Sequence, residues 1–487
     1  MHRVRQSNMS WNVGIHMRDS YERSTIWVSY EPGLKSPARV SSDQQEPSLK
    51  LRTANKRLAE QQAETVEPEQ PLSSTLCTVD LSRRQAEFSV LDKFLSMYAP
   101  SPHTFRPTKI SDTSWSEQWK NNIVMMSDDS ALVRRTMGAL SLTCLGELSR
   151  DVQMLRQGTK LYGSVLVMLN ETLRQNAAGC NVHVLAAIQM MGLYEQFNGF
   201  STSATRRQSR NWQAHVLGIR KLIEIAGPDA FMSERAFLTY QACQSAQFTA
   251  AFAARKGTSL ASREWRTIPW TGREKSVRDL FFDIAYKIPT IVEQAEEVDE
   301  RTPDSVITNL LHQLHEVLSR SETWKRMVGM GAAADTWSVG AHSTPTGLLD
   351  PEHYDLSGRQ SASMFCAVFV HSSIVMHRLA SRLCPQSFAT ESMSLPDPFP
   401  YALWITKVIP LVTEEGGIIG HQSILFPLGA VRWYTKQFPL KDPQSTSIVS
   451  ASLRDGLKEL GWLSFTEQFL QDIPTLRLNS LADVQLR

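Results

Sequence analysis

"MGALSLTCLGELSRDVQMLRQGTKLYGSVLVMLNETLRQ", Met137–Gln175, sets apolar side chains at Leu145, Leu148, Val152, Leu155, Tyr162, Val165, Leu169 and Leu173. Steps of three, four and seven put nearly all of them on one face of an α-helix. Ser149-Arg150-Asp151 and Gly158 interrupt the pattern, so the segment reads as two stacked helices or one long kinked helix. Its polar face carries no recognisable catalytic equipment.

The same period recurs on both sides. Upstream, "SRRQAEFSVLDKFLSMYA" places Phe88, Leu91, Phe94, Leu95 and Tyr98 on one face. Downstream follow "NVHVLAAIQMMGLYEQF", "RNWQAHVLGIRKLIEIAGP", "RAFLTYQACQSAQFTAAFAARKG", "REKSVRDLFFDIAYKIPTIVEQAEEV" and "DSVITNLLHQLHEVLSRSETWKRMV". "SASMFCAVFVHSSIVMHRLASRLC" reads as a buried helix, and three more helical stretches lead towards the C-terminus. Gly227-Pro228 is a helix-stop signal. Alternating strands and a fixed-period repeat are both missing. The expected fold is all-α: one large domain over 81–487, built of paired, stacked helices.

Residues 1–80 differ in composition. "EPGLKSPARVSSDQQEPS" and "TVEPEQPLSST" hold too few apolar side chains to offset chain entropy, so a disordered polar leader is expected there. Leu51 and Leu58 lie one heptad apart, short of the three or four heptads of a coiled coil.

Across 487 residues, 42% are hydrophobic, 21% are charged and the net charge is +2. That balance belongs to a globular chain and provides no overall field for nucleic acid or membrane. The N-terminal stretch has no signal-peptide core, and "VHVLAAIQMMGLY" is the nearest approach to a membrane span, too short and interrupted by His183 and Gln189. Cys77, Cys144, Cys180, Cys243, Cys366 and Cys384 are scattered, as expected of reduced, mostly buried thiols. An intracellular protein is expected.

Motifs of catalysis fail on context. Gly329-Met330-Gly331-Ala332-Ala333-Ala334 fits a dinucleotide fingerprint, but no strand precedes it, so it is expected to be a flexible loop. His312 and His315 are three apart, not the four of a zinc helix. Gly420-His421-Gln422-Ser423 lacks the second glycine of a nucleophile elbow. An enzyme, a metal site and a cofactor are therefore not expected. Arg206, Arg207 and Arg210 could touch phosphate, although three charges suit a solvated loop before a helix better. Lys50, Arg52, Lys56 and Arg57 could serve nuclear localisation or weak nucleic-acid contact, or simply solvate the leader.

"NWQAHVLGIRKLIEIAGPDAF" is the most telling block. Trp212, His215, Gly218 and Leu222, ended by Gly227 and Pro228, resemble the W-x-x-H-x-x-G-x-x-x-L motif of the fungal-specific transcription factor domain. That domain is the regulatory region of fungal zinc binuclear-cluster regulators. Ala226 stands where the family usually has Arg. Four further blocks resemble it in order: Phe88 to Phe94; the Ala/Leu-rich helices with Gly146, Tyr162 and Leu169; Arg255 followed by Trp265, Pro269 and Trp270; and "GGIIGHQSILFPLGAVRWY". The resemblance spans roughly Leu81 to Gln471.

Trp212 and His215 share one apolar face, which favours a core tryptophan beside a hydrogen-bonded histidine over a ligand site. They and the other matching residues are expected to mark the fold rather than a binding site. One departure is large: the family's six-cysteine, two-zinc DNA reader needs paired thiolates in a short segment, and no two cysteines here lie close enough to form such a pair.

The resemblance therefore implies a nuclear regulator or co-regulator of a metabolic gene set. It would act through helical surfaces on other regulators or on itself, with a small-molecule inducer and at most weak or indirect DNA contact. The alternative is a non-transcriptional helical protein that binds a small molecule, or an unrecognised enzyme.

Overall fold

The computed structural model describes residues 12–15, 26–29, 89–98, 115–175, 181–198, 206–332, 346–348, 350–354, 356–383, 395–437 and 443–458. The chain divides into two compact units, Met1–Ser89 and Val90–Arg487. In the first unit β1 (Asn12–Ile15) pairs antiparallel with β2 (Ile26–Ser29). The sequence reading did not anticipate this pair, because four residues are too few to separate an alternating pattern from chance. The rest of the expected polar leader lies outside the described residues.

The second unit is all-α, its first helix beginning one residue earlier at Ser89. Its helices are α1 (89–98), α2 (Trp115–Asp129), α3 (Ala131–Ser149), α4 (Val152–Gln175) and α5 (Val182–Phe197). Next come α6 (Arg206–Ala226), α7 (Glu234–Ala254), α8 (Arg263–Thr267), α9 (Val277–Ala285) and α10 (Lys287–Glu296). The series continues with α11 (Asp304–Ala332), α12 (Leu356–Ala380), α13 (Phe399–Ser423), α14 (Leu425–Gln437) and α15 (Pro443–Lys458).

Of the two readings left open for Met137–Gln175, stacked helices are observed: α3 and α4 form an αα-hairpin. Arg150 adopts left-handed backbone (φ 56°) and ends α3, while Asp151 Oδ1 accepts from the Gln153 and Met154 amides at 2.8 and 3.1 Å to start α4. Gly158 is not a break. A Cβ there would sit 2.3 Å from Thr143 Oγ1 and 3.2 Å from the Ala139 carbonyl, so the glycine lets two helix backbones approach closely.

A side chain other than glycine pays for left-handed φ in steric strain. Arg150→Gly is therefore expected to stabilise the protein by about 0.5–1 kcal/mol, net of the greater freedom of an unfolded glycine. Urea unfolding of the two chains measures the difference, and an unchanged or lower midpoint would contradict it.

Helix α5 explains how the body holds together. It is apolar nearly all round, as a fully buried helix must be. Ala186, Met190, Tyr194 and Phe197, in helical steps of four and three, face a smaller core shared with α1, α2 and α3. Leu185, Ile188 and Met191 face the larger core that takes in α6 to α15. One helix thus has two buried faces.

Helix α12 contains the segment Gly358–Ala380, which is long and apolar enough to cross a membrane by length and composition. Its most apolar window is 83% buried in the protein, as in a core helix. The sequence pattern predicts a buried helix here without a span-length apolar run, since Ser361, Ser363, His371, Ser372 and Ser373 interrupt it. Gly329, Met330 and Gly331, expected to form a loop, continue α11 to Ala332. The penalty of isolated glycines is only about 1 kcal/mol each, too small to end a long amphipathic helix.

Candidate functional site

The block that carries the resemblance forms α6. Trp212 is buried against the backbone of Gly192 in α5, where a Cβ would lie 3.7 Å from Trp212 Cδ1 and 3.8 Å from His215 Cβ. A Cβ at those distances would make ordinary van der Waals contact, so the approach of α6 does not depend on a glycine here. Val216, Ile219 and Ile223 complete the buried stripe, with Leu222 packed at its edge. Gly227 ends the helix at φ 73°, and Pro228 opens the 3-10 turn Pro228–Phe231. Gly218 differs: a Cβ there would meet nothing within 4 Å, so packing does not require a glycine at this position.

His215 is the keystone of a three-helix network. The Tyr162 hydroxyl of α4 donates to Glu195 Oε1 of α5 at 2.6 Å and lies 3.0 Å from His215 Nε2. A hydroxyl has one proton, so with Tyr162 donating to Glu195, His215 must donate from Nε2 as the neutral tautomer. Burial lowers the His215 pKa to about 4, in keeping with that neutral form. Burial, reinforced by Glu195, pushes the Tyr162 hydroxyl well above its usual value. The Tyr162 and Tyr194 rings stack with centroids 3.9 Å apart, and Tyr194 Oη lies 3.5 Å from Thr159 Oγ1. These groups satisfy one another, an arrangement that locks helices rather than waiting for a substrate.

Trp265 and Trp270 enter a second aromatic nest with Phe231, Phe237 and Tyr240, at centroid distances of 5.1 to 5.8 Å. Pro269 is buried in the turn between the two tryptophans. Lys275 Nζ lies 4.8 Å over the Trp270 ring, and the Arg273 guanidinium lies 4.6 Å over Phe237. Below it, Gln241 Nε2 donates to both carboxylate oxygens of buried Asp279, at 3.1 and 3.2 Å. Asp279 also closes a capping box with Ser276 at the start of α9.

Arg255 ends α7 in left-handed backbone (φ 50°) and pairs through Nη1 with Glu296 of α10. One turn earlier on α10, Glu293 takes Lys256 Nζ at 2.7 Å and the Gly257 amide at 2.7 Å. Two carboxylates three residues apart thus clamp the end of α7 onto α10.

The basic positions separate. Arg206, Arg207 and Arg210 were expected in a loop, but α6 begins at Arg206 and includes them, consistent with the good helix propensity of arginine. Lys50, Arg52, Lys56 and Arg57 lie outside the described residues. Cys144, Cys243 and Cys366 are buried, and burial pushes the Cys144 thiol up to about 12. Among the described residues, no three His, Cys, Asp or Glu side chains gather where they could hold a metal.

Glu195, Glu296, His371 and Arg378 were missed in the sequence. A signal existed for two of them: Glu195 and His371 interrupt apolar helical runs, and a polar group in such a place must find a partner or lose its charge. No family model, curated protein or solved structure matches this chain. Fold and site together define an all-α body in which Trp212, His215, Trp265 and Trp270 pack or hydrogen-bond between helices.

Proposed function

We propose that the helical body is the regulatory domain of a nuclear transcriptional regulator or co-regulator of the fungal zinc-cluster class. The reading rests on five blocks in the family's order. The observation that carries it is the Trp212 to Pro228 block, where a buried tryptophan and a His215 bonded to a neighbouring helix are followed by a glycine-proline stop. Partner docking is supported by exposed Leu217 and Ile225, two turns apart on one side of α6.

Residues 81–487 fused to an unrelated DNA-binding domain are expected to change the output of a reporter under that domain's operator. An unchanged reporter, with the fusion folded and nuclear, would reduce the resemblance to ancestry. The alternative of a small-molecule-binding protein would then lead.

A further inference from the structure

Arg255 is a buried cation with an unused face. It is only 6% exposed, and while Nη1 engages Glu296, neither Nε nor Nη2 has a hydrogen-bond partner. Those two nitrogens form one side of the guanidinium fork, the side that grips a carboxylate through two parallel hydrogen bonds. Leaving charged donors buried and unpaired is costly, and native proteins seldom do so without a reason.

A second guanidinium shares the partner of this fork. Arg378 of α12 lies within electrostatic reach of both Arg255 and Glu296, and Arg382 lies one turn beyond it. Glu296 is thus shared by two guanidiniums, while Glu293, the other carboxylate of this clamp, is taken up by Lys256 and the Gly257 amide. His371 adds no further positive charge, because burial and Arg255 hold it neutral, with a pKa of about 3. It lies two turns before Arg378 on α12, so the two share a face.

Beside the fork the packing is aromatic. The His371 ring lies 5.2 Å from Phe252, 5.3 Å from Phe426 and 4.9 Å from Trp433. The Trp433 indole N–H is also buried without a partner. We propose that the junction of Arg255, Arg378 and this aromatic wall is a binding site for a small organic carboxylate with a flat or short apolar body. The carboxylate takes the Nε and Nη2 donors of Arg255, Arg378 supplies the second charge, and the apolar body packs on Phe252, Phe426 and Trp433. Arg378 is the partly exposed member, so entry is from its side. The site stands on this geometry whether or not the chain regulates transcription.

The test is calorimetric titration of the full chain with benzoate, phenylacetate and hexanoate, with inorganic phosphate for comparison. At least one carboxylate is expected to bind one per chain and to raise the unfolding temperature. Arg378→Gln, at a partly exposed position, is expected to weaken it about tenfold. Arg255→Lys, which keeps the charge and loses the fork, is expected to weaken it at least as much. Glu296→Gln, which removes the competing anion, is expected to tighten binding. No binding by any of the three carboxylates, or binding that Arg378→Gln and Arg255→Lys leave unchanged, overturns the proposal. So does phosphate binding as tightly as the best carboxylate, since phosphate has no apolar body for the aromatic wall.

Discussion

Between pH 7 and pH 5 the protein is expected to lose about 4 kcal/mol of stability, from two histidines that fold neutral. His215 and His371 titrate near 6.5 in the unfolded chain and at about 4 and about 3 in the folded one. Below pH 6.5 the unfolded state therefore takes up protons that the folded state refuses. Stability rises with pH through this window and falls on acidification, by up to about 1.4 kcal/mol per pH unit for each histidine. Burial and Arg235 move His183 in the same direction. The window ends above the range where most carboxylates protonate, so the histidines dominate it. Against a total stability of roughly 5–15 kcal/mol, the loss is severe. Urea unfolding at pH 7, 6 and 5 measures it. His371→Phe keeps an aromatic ring on the same wall and removes one titrating group, so its dependence on pH should be about half as steep. An unchanged slope in that variant would contradict the assignment.

Trp212→Ala is expected to cost about 3–5 kcal/mol, the usual penalty for emptying a large aromatic site in a core. Trp212 is 5% exposed and lies against the one stretch of α5 that lacks a Cβ, at Gly192. Trp212 belongs to the large core cluster, whose packed side chains relax only partly around a deletion, so much of the cavity should persist. The loss should appear as a lower midpoint with an unchanged dependence on urea. In the reporter fusion the same variant should lose activity together with cooperative unfolding. Loss of activity with full stability would show instead that Trp212 touches a partner, and the interior role assigned to it would be wrong.

Helix period and stop signals were legible because they are local. The α3–α4 hairpin and the end of α6 at Gly227 follow from spacing and from the conformational freedom of glycine. Tertiary use of a residue was not legible. Gly158 looks like a helix breaker in one dimension, and only the presence of Thr143 and Ala139 across the hairpin shows that it admits a neighbour. Gly329 to Gly331 look like loop residues until the amphipathic length of α11 outweighs them. The Tyr162, Glu195 and His215 network joins three helices, so no window of sequence contains it. Arg255 and Arg378 are more than a hundred residues apart, and their common surroundings appear only when α7 and α12 both meet α10.

The Tyr98 hydroxyl of α1 donates to Gln422 Oε1 of α13 at 2.8 Å, and Gln422 Nε2 donates to Gln196 Oε1 of α5 at 2.7 Å. Tyr98 is 3% exposed and Gln196 is 7% exposed. On the ribosome, Gln422 emerges 324 residues after Tyr98, which at roughly 5–20 residues per second is a delay of about 15–65 s. Throughout that interval for Tyr98, and for its last 226 residues for Gln196, these polar groups lack the partner that Gln422 provides. A nascent chain stopped before α13 can make helices but cannot close this bond, and it is in that interval that a chaperone would have most to hold.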